Sequence, residues 1–181
     1  MVLYVQKMSV AEFDEWVYHP QNIGTNFEYI RGEIVDVVSN SKSSKIGILI
    51  GSYITLHVVA NDLGHTTGAD GGYKVQGERY IPDVGFISTE RMPEMEISAY
   101  ISVAPDLAVE VLSPTDSQRL MTVKIANYLA AGTTVWLVYP DEEAIEIYAP
   151  NQAVLRLEKT DTLVAGDILP NFELALEKLF N

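Results

Sequence analysis

Residues 104–116, APDLAVEVLSPTD, constrain the fold more than any other stretch of the chain. In a strand, successive side chains point to opposite faces. Leu107, Val109 and Val111 then share one face, and Asp106, Ala108, Glu110 and Leu112 share the other. Both faces are mostly apolar, the pattern of a strand covered on both sides, as in an α/β sheet. Glu110 interrupts it. A lone ionised carboxylate in such a place costs on the order of several kcal/mol unless it is paired, hydrogen-bonded or bound to a metal. The plainest expectation is that Glu110 lies near the end of the strand and reaches water.

The rest of the chain fits one α/β domain over residues 1–181 with a mixed sheet flanked by helices. Ser9-Val-Ala-Glu12 is a capping-box pattern before a short helix carrying Phe13, Trp16 and Val17. Phe27 to Val38 reads as a hairpin turning at Arg31-Gly32. Lys45 to Ala60 is apolar almost all round and predicts a buried helix. Thr66 to Gly72 predicts a turn, and Tyr73–Gln76 with Tyr80–Ser88 a second hairpin about Gly77. Ser113-Pro-Thr-Asp116 supplies helix-start chemistry for a helix ended by Gly132. Thr134 to Tyr139 predicts a strand, Ala144–Tyr148 with Ala153–Leu157 a hairpin, and Phe172 to Phe180 a last short helix.

Composition narrows the chemistry. The chain has no cysteine, so disulfides, thiolate zinc sites and cysteine nucleophiles are excluded, and a reducing cytoplasm is the expected setting. No run suggests a membrane span, and MVLYVQKMSV lacks the apolar core of a signal peptide. The net charge of −13 argues against a protein that coats nucleic acid through a basic face, while leaving room for an enzyme with a local groove. The three histidines are scattered, and TGADGG at 67–72 matches neither a phosphate loop nor a dinucleotide fingerprint.

Three residues stand out together. On a helix after Ser113, Leu120, Lys124 and Tyr128 fall within one arc, which places Lys124 on the apolar, sheet-facing side. A lysine there either snorkels to the rim or aims at a carboxylate on the sheet. Glu110 leads straight into this helix. Asp83, in IPDVGFI, interrupts another apolar strand just after a proline, a position suited to a strand start or edge. Two carboxylates and a lysine converging at strand ends have the form of a magnesium site for phosphodiester hydrolysis. The carboxylates hold a hard ion, and the lysine orients water or stabilises the transition state.

The order GEIV (32–35), PDV (82–84), PDLAVEVLSP (105–114), Lys124-x3-Tyr128-x3-Gly132 and VWLVYP (135–140) resembles the Uma2 family, also called DUF820. That family is similar to the PD-(D/E)XK restriction-endonuclease-like superfamily. The resemblance spans nearly the whole chain, including GDILPNFELALEKLF at its end. It implies a restriction-endonuclease-like fold and a Mg²⁺- or Mn²⁺-dependent DNA endonuclease. Asp83 matches the first acid of the motif and Glu110 the second. The lysine expected two positions later is replaced by Leu112, and the resemblance implies that its role has moved to Lys124. It also implies Glu33, or else Glu28, as an upstream acid beside the metal, with a solvated hairpin residue as the competing reading of Glu33. The Val111 carbonyl is a further implied ligand.

Two departures accompany the match. Lys45 stands where members often carry a histidine, and Gln118-Arg119-Leu120-Met121 stands where many carry an acid, with Asp116 the nearest substitute. The residues therefore leave two other readings open: a non-catalytic binding or assembly module of the same fold, and a purely structural Glu110–Lys124 ion pair. A homodimer is expected of a nuclease fold that cuts two strands, with Trp16, Phe27 and Phe180 as apolar contact residues.

Overall fold

The computed structural model describes residues 8–181 and the backbone of Leu3–Tyr4; residues 1, 2 and 5–7, part of the N-terminal stretch read above, lie outside the described residues. The elements run in the order β1 (Leu3–Tyr4), α1 (Val10–Trp16), β2 (Phe27–Ile30), β3 (Glu33–Asp36), α2 (Ser41–Ala60), β4 (Gly64–Thr67), β5 (Gly72–Val75) and β6 (Glu78–Tyr80). They continue through β7 (Val84–Ser88), β8 (Tyr100–Ile101), β9 (Leu107–Val111), α3 (Gln118–Ala130), β10 (Thr134–Tyr139) and β11 (Ala144–Tyr148). β12 (Leu155–Glu158), β13 (Thr162–Val164), β14 (Glu173–Ala175) and a single 3₁₀ turn at Leu176–Lys178 complete the chain.

The strands form a mixed sheet in the order β12-β11-β10-β9-β7-β4, a second sheet in the order β1-β3-β2-β6-β5-β8, and the pair β13-β14. β9 lies in the interior of the first sheet, parallel to β10 and antiparallel to β7. Its alternation works as the sequence predicts. Leu107, Val109 and Val111 pack with Ile46, Ile50, Ile54 and Val58 of α2. Ala108, on the opposite face, packs with Leu120 and Tyr128 of α3 and with Ile30, Val75 and Tyr80 of the second sheet. The first sheet is thus buried on both sides.

The capping box forms: Ser9 and Glu12 bond reciprocally at the start of α1. The two hairpin turns also form where expected. Arg31 and Gly32 have φ of 53° and 82°, and Gln76 and Gly77 have 49° and 84°. Two consecutive positive φ values match the twist of the flanking strands, and glycine at the second position takes that conformation at little cost.

Several expectations are corrected. The predicted strand Tyr80–Ser88 is two strands in different sheets, β6 and β7. Pro82 has no N–H to continue a ladder, so the chain leaves one sheet there and enters the other at Val84. The predicted turn at Thr66 begins as strand β4, paired with β7. The cap of α3 is Ser117 rather than Ser113 or Asp116. The predicted C-terminal helix is strand β14 followed by a single 3₁₀ turn, because Glu173–Ala175 finds an antiparallel partner in Thr162–Val164.

α2 buries only one stripe, Ile46, Ile50, Ile54 and Val58, while Ile48, Leu56 and Val59 face outward. By length and composition it is apolar enough to cross a membrane, contrary to the sequence expectation. Of the residues expected at a dimer contact, Phe27 and Phe180 are buried in the chain's own core, Phe27 against Trp16 and the Phe13 cluster, so neither is available to a partner.

Candidate active site

The break at Pro82 builds the site. Because β7 begins only at Val84, opposite Val109, the next amide on the neighbouring strand, Val111 N–H, has no backbone partner on β7. The Asp83 carboxylate takes it, with Oδ2 accepting at 2.7 Å. On the other side of the break, Ile81 N–H donates to Glu28 Oε1 at 2.7 Å. Glu28 comes from β2 of the second sheet, so the site sits where the two sheets part company.

Lys124 lies between them. Its ammonium donates to Glu28 Oε1 at 2.8 Å and to Glu110 Oε2 at 2.9 Å. The Tyr128 hydroxyl donates to Glu110 Oε1 at 3.1 Å. Lys124 Nζ also lies 5.6 Å from the centre of the Tyr80 ring, within cation–π range. Glu110 is 4% exposed, Lys124 5% and Glu28 6%. The expectation that Glu110 reaches water is therefore overturned: it is buried and paired with a lysine one turn into the buried stripe of α3. Nor does it lie at a sheet edge. The site is at strand ends within the sheet.

Charge in this group does not balance. Burial raises the Glu110 pKa well above the ordinary glutamate range, beyond what Lys124 attracts back down, and Glu28 and Asp83 push it further up. Burial also raises the Asp83 carboxyl, opposed by the Val111 N–H and by Lys124 and assisted by Asp116 and Glu28. For Lys124, burial acts downward, but Glu110 and Glu28 outweigh it and hold the ammonium above its usual value. Burial and the Glu110 charge keep the Tyr128 hydroxyl protonated and donating.

Asp83, Glu110, Val111, Lys124 and Glu28 all line one cavity of about 90 Å³, with Asp116 on its wall. It shares Val38, Ser39, Ser113, Asp116 and Met121 with a groove of about 990 Å³ that runs past Lys42, Thr115 and Tyr139. The structure thus brings together Asp83, Glu110, Val111 and Lys124 but not Glu33. Glu33 pairs with Arg119 of α3 at 2.8 Å, nearer the solvent, and Glu28 occupies the place beside Lys124. Both acids project from the same face of the hairpin, since Glu28 is opposite Val35 and Glu33 opposite Ile30. Alternation alone cannot separate them; the distance from the Arg31-Gly32 turn does. Lys45 does not line the cavity; its ammonium bonds the backbone oxygen of Asn181. Helical spacing places Tyr128 beside Lys124; its bond to Glu110 depends on the strand that α3 packs against, which the spacing does not specify.

Among the described residues, no three acidic or imidazole side chains converge as a ready-made metal cage. The donor set nevertheless suits a hard divalent ion. It is all oxygen, it carries more carboxylates than cations, and of the two Asp83 oxygens only Oδ2 accepts a hydrogen bond from the described residues. Mg²⁺ commonly uses one or two carboxylates and keeps several waters, so a full protein cage is not required.

No curated protein matches the chain significantly. Among solved structures it is similar to a protein described as "a putative nuclease belonging to DUF820", from Anabaena variabilis ATCC 29413. The two share 25% identity, with a TM-score of 0.83 over 96% of this chain and 97% of the other. Residues 10–177 match the Uma2 family, whose description is "Putative restriction endonuclease". With that match covering nearly its whole length, the chain belongs to the Uma2 family and has a nuclease-like fold.

Proposed function

We propose that the chain is a Mg²⁺- or Mn²⁺-dependent endonuclease that hydrolyses phosphodiester bonds in DNA. The observation that carries this reading is the buried Glu28–Lys124–Glu110 group beside Asp83, opening through a small cavity into a long groove. Asp83 and Glu110 would hold the ion, with Val111 adjoining. When bound, such an ion lowers the pKa of a coordinated water and neutralises charge on the phosphate. The chain's own residues do the rest. Asp83 is fixed by the Val111 amide, so its second oxygen is presented without a competing bond. Tyr128 fixes the orientation of Glu110. Lys124 supplies a permanent positive charge, held in place by two carboxylates, for the developing negative charge of the transition state. The groove along Ser113, Thr115 and Tyr139 is the path for the strand.

Cleavage of supercoiled plasmid DNA tests this. Nicking or linearisation is expected with millimolar Mg²⁺ or Mn²⁺, absent with chelator, and lost in Asp83→Asn. Well-folded protein that cuts no single- or double-stranded DNA with either metal refutes it.

A second reading, a nuclease-fold binding or assembly module without catalysis, is favoured by two observations. Lys124 and Glu110 satisfy each other in the structure, and the net charge of −13 opposes a polyanion. It predicts that Glu110→Gln leaves Mn²⁺ affinity unchanged.

A further inference from the structure

The groove beside the candidate site is lined by aromatic rings and is poor in free cations. Tyr139 of β10 and Tyr148 of β11 both line it, and both are half-buried. Strand pairing puts them on the same face of the sheet as Val135 and Leu137, the face towards α3, whose Met121 and Ile125 also line the groove. One carboxylate anchors both rings: the Tyr139 and Tyr148 hydroxyls donate to Glu146 Oε2 at 2.8 and 2.6 Å. The Arg156 guanidinium lies 5.4 Å from the centre of the Tyr139 ring and is itself held by Glu142, Glu146 and Glu158. Its charge is thus already matched within the protein. Among the described residues lining the groove, Lys42 is the one lysine or arginine, and it pairs with Asp141 at 2.7 Å. Asp116 and Glu142 line the same groove.

We infer that this groove takes an unpaired stretch of DNA, with bases stacked on the Tyr139 and Tyr148 rings, rather than an intact duplex. The inference deepens the endonuclease reading and rests on it in taking the groove as the path of a nucleic-acid strand; whether that strand is cut is a separate matter. Two physical arguments select the unpaired form. Duplex DNA is held mainly through phosphates that lysine and arginine neutralise, each contact releasing counterions. A groove with three carboxylates and one paired lysine offers little of that, and the chain's charge of −13 adds repulsion. Unpaired bases, by contrast, expose flat faces that stack on aromatic side chains whatever their sequence, a contact worth about five- to a hundredfold in affinity per base. Rings whose hydroxyls are already anchored lose little freedom when a base arrives. The groove is also continuous with the cavity of the candidate site through Ser113, Asp116 and Met121, so a strand seated on the tyrosines continues towards Asp83 and Glu110.

Fluorescence anisotropy of a labelled oligothymidylate of about 12 nucleotides, against a duplex of the same length, tests it, with Ca²⁺ replacing Mg²⁺ so that the strand is held uncut. The wild type is expected to bind the single strand at least about tenfold more tightly than the duplex. Its affinity should depend weakly on salt, with a log–log slope no steeper than about −1.4, the value for two phosphates on a single strand. Tyr139→Leu/Tyr148→Leu should weaken single-strand binding at least about tenfold with an unchanged circular dichroism spectrum, since leucine keeps apolar volume and loses the aromatic face. Tyr139→Phe/Tyr148→Phe, which keeps both rings, should bind as the wild type does. Equal or tighter binding of the duplex overturns the proposal, and so do no binding of either form, a steeper salt slope, or a folded leucine variant that binds like the wild type. The first three are read on the wild type, so they stand even if a variant misfolds. Plasmid cleavage separates this inference from the endonuclease reading. Cutting by a protein that prefers the duplex overturns the stacking alone, and tight single-strand binding without cutting overturns the catalysis alone.

Discussion

Replacing Lys124 with methionine removes the cation and keeps most of the side-chain volume. It leaves Glu28 and Glu110 facing each other across the vacated position, each having lost a partner at 2.8–2.9 Å. Removing one member of a buried, hydrogen-bonded charge group typically costs about 3–5 kcal/mol, because a charge is left desolvated without compensation. The cost must depend on pH. Burial already raises the Glu110 pKa against the attraction of Lys124, so removing the lysine raises it further. An acid with a raised folded pKa keeps its proton in the folded chain where the unfolded chain has lost it. Folding stability therefore falls as pH rises above the ordinary glutamate range, by at most about 1.4 kcal/mol per pH unit for one proton. With Lys124 present the Glu110 pKa is already pushed up to about 8, so below pH 8 wild type and variant both hold this proton when folded and lose stability with the same slope. Above pH 8 the wild type releases the proton beside its lysine, while the variant, which keeps it, goes on losing up to about 1.4 kcal/mol per pH unit. Lys124→Met should accordingly cost about 2 kcal/mol more at about pH 9.5 than at about pH 6. In urea, with a slope of about 2 kcal/mol per molar, the gap between the two midpoints should widen by about 1 M between these pH values. The same loss at both pH values would refute this, since lost packing alone does not titrate.

Four further outcomes follow from the same structure. Wild-type stability should decline from pH 5 to pH 8 through the raised Glu110 pKa, and Glu110→Gln should flatten that decline in thermal melts. Asp83→Asn should keep the fold, because an amide oxygen still accepts from Val111 N–H, while Mn²⁺ binding by calorimetry weakens at least tenfold. Glu33→Ala should change stability by no more than about 1 kcal/mol and leave any cleavage intact, because it removes only a solvent-facing pair with Arg119; loss of cleavage would return Glu33 to the site. Gly85→Ala should destabilise by about 1–3 kcal/mol in urea, because a Cβ there would overlap the Tyr73 ring.

Much of the site was legible before the fold was known, for local reasons. Strand alternation put Glu110 on the face opposite Val109 and Val111, and helical spacing put Lys124 between Leu120 and Tyr128. Those three are the buried residues of α3. Both rules depend only on backbone periodicity. What was not legible depends on meetings between distant segments. Pro82 predicts a strand start, but not that β6 and β7 part into different sheets and that Glu28 and Asp83 then take up the freed amides. The choice of Glu28 over Glu33 turns on the second sheet packing against α3. The outward stripe of α2 was hidden for another reason: an apolar composition all round gives no sign of which side the sheet will cover. The same ambiguity places the expected dimer contact on Trp16, Phe27 and Phe180, of which the core takes Phe27 and Phe180 and packs Trp16 against the Phe13 cluster.

If Asp83 and Glu110 form a divalent-metal site served by Lys124, anomalous diffraction from a crystal soaked in millimolar Mn²⁺ will show it. One strong peak is expected between the Asp83 and Glu110 carboxylates, with Lys124 adjacent, and it should disappear in Asp83→Asn. A cavity with no peak, with Glu28 and Glu110 still closed on Lys124, would contradict it and leave the group a structural ion cluster.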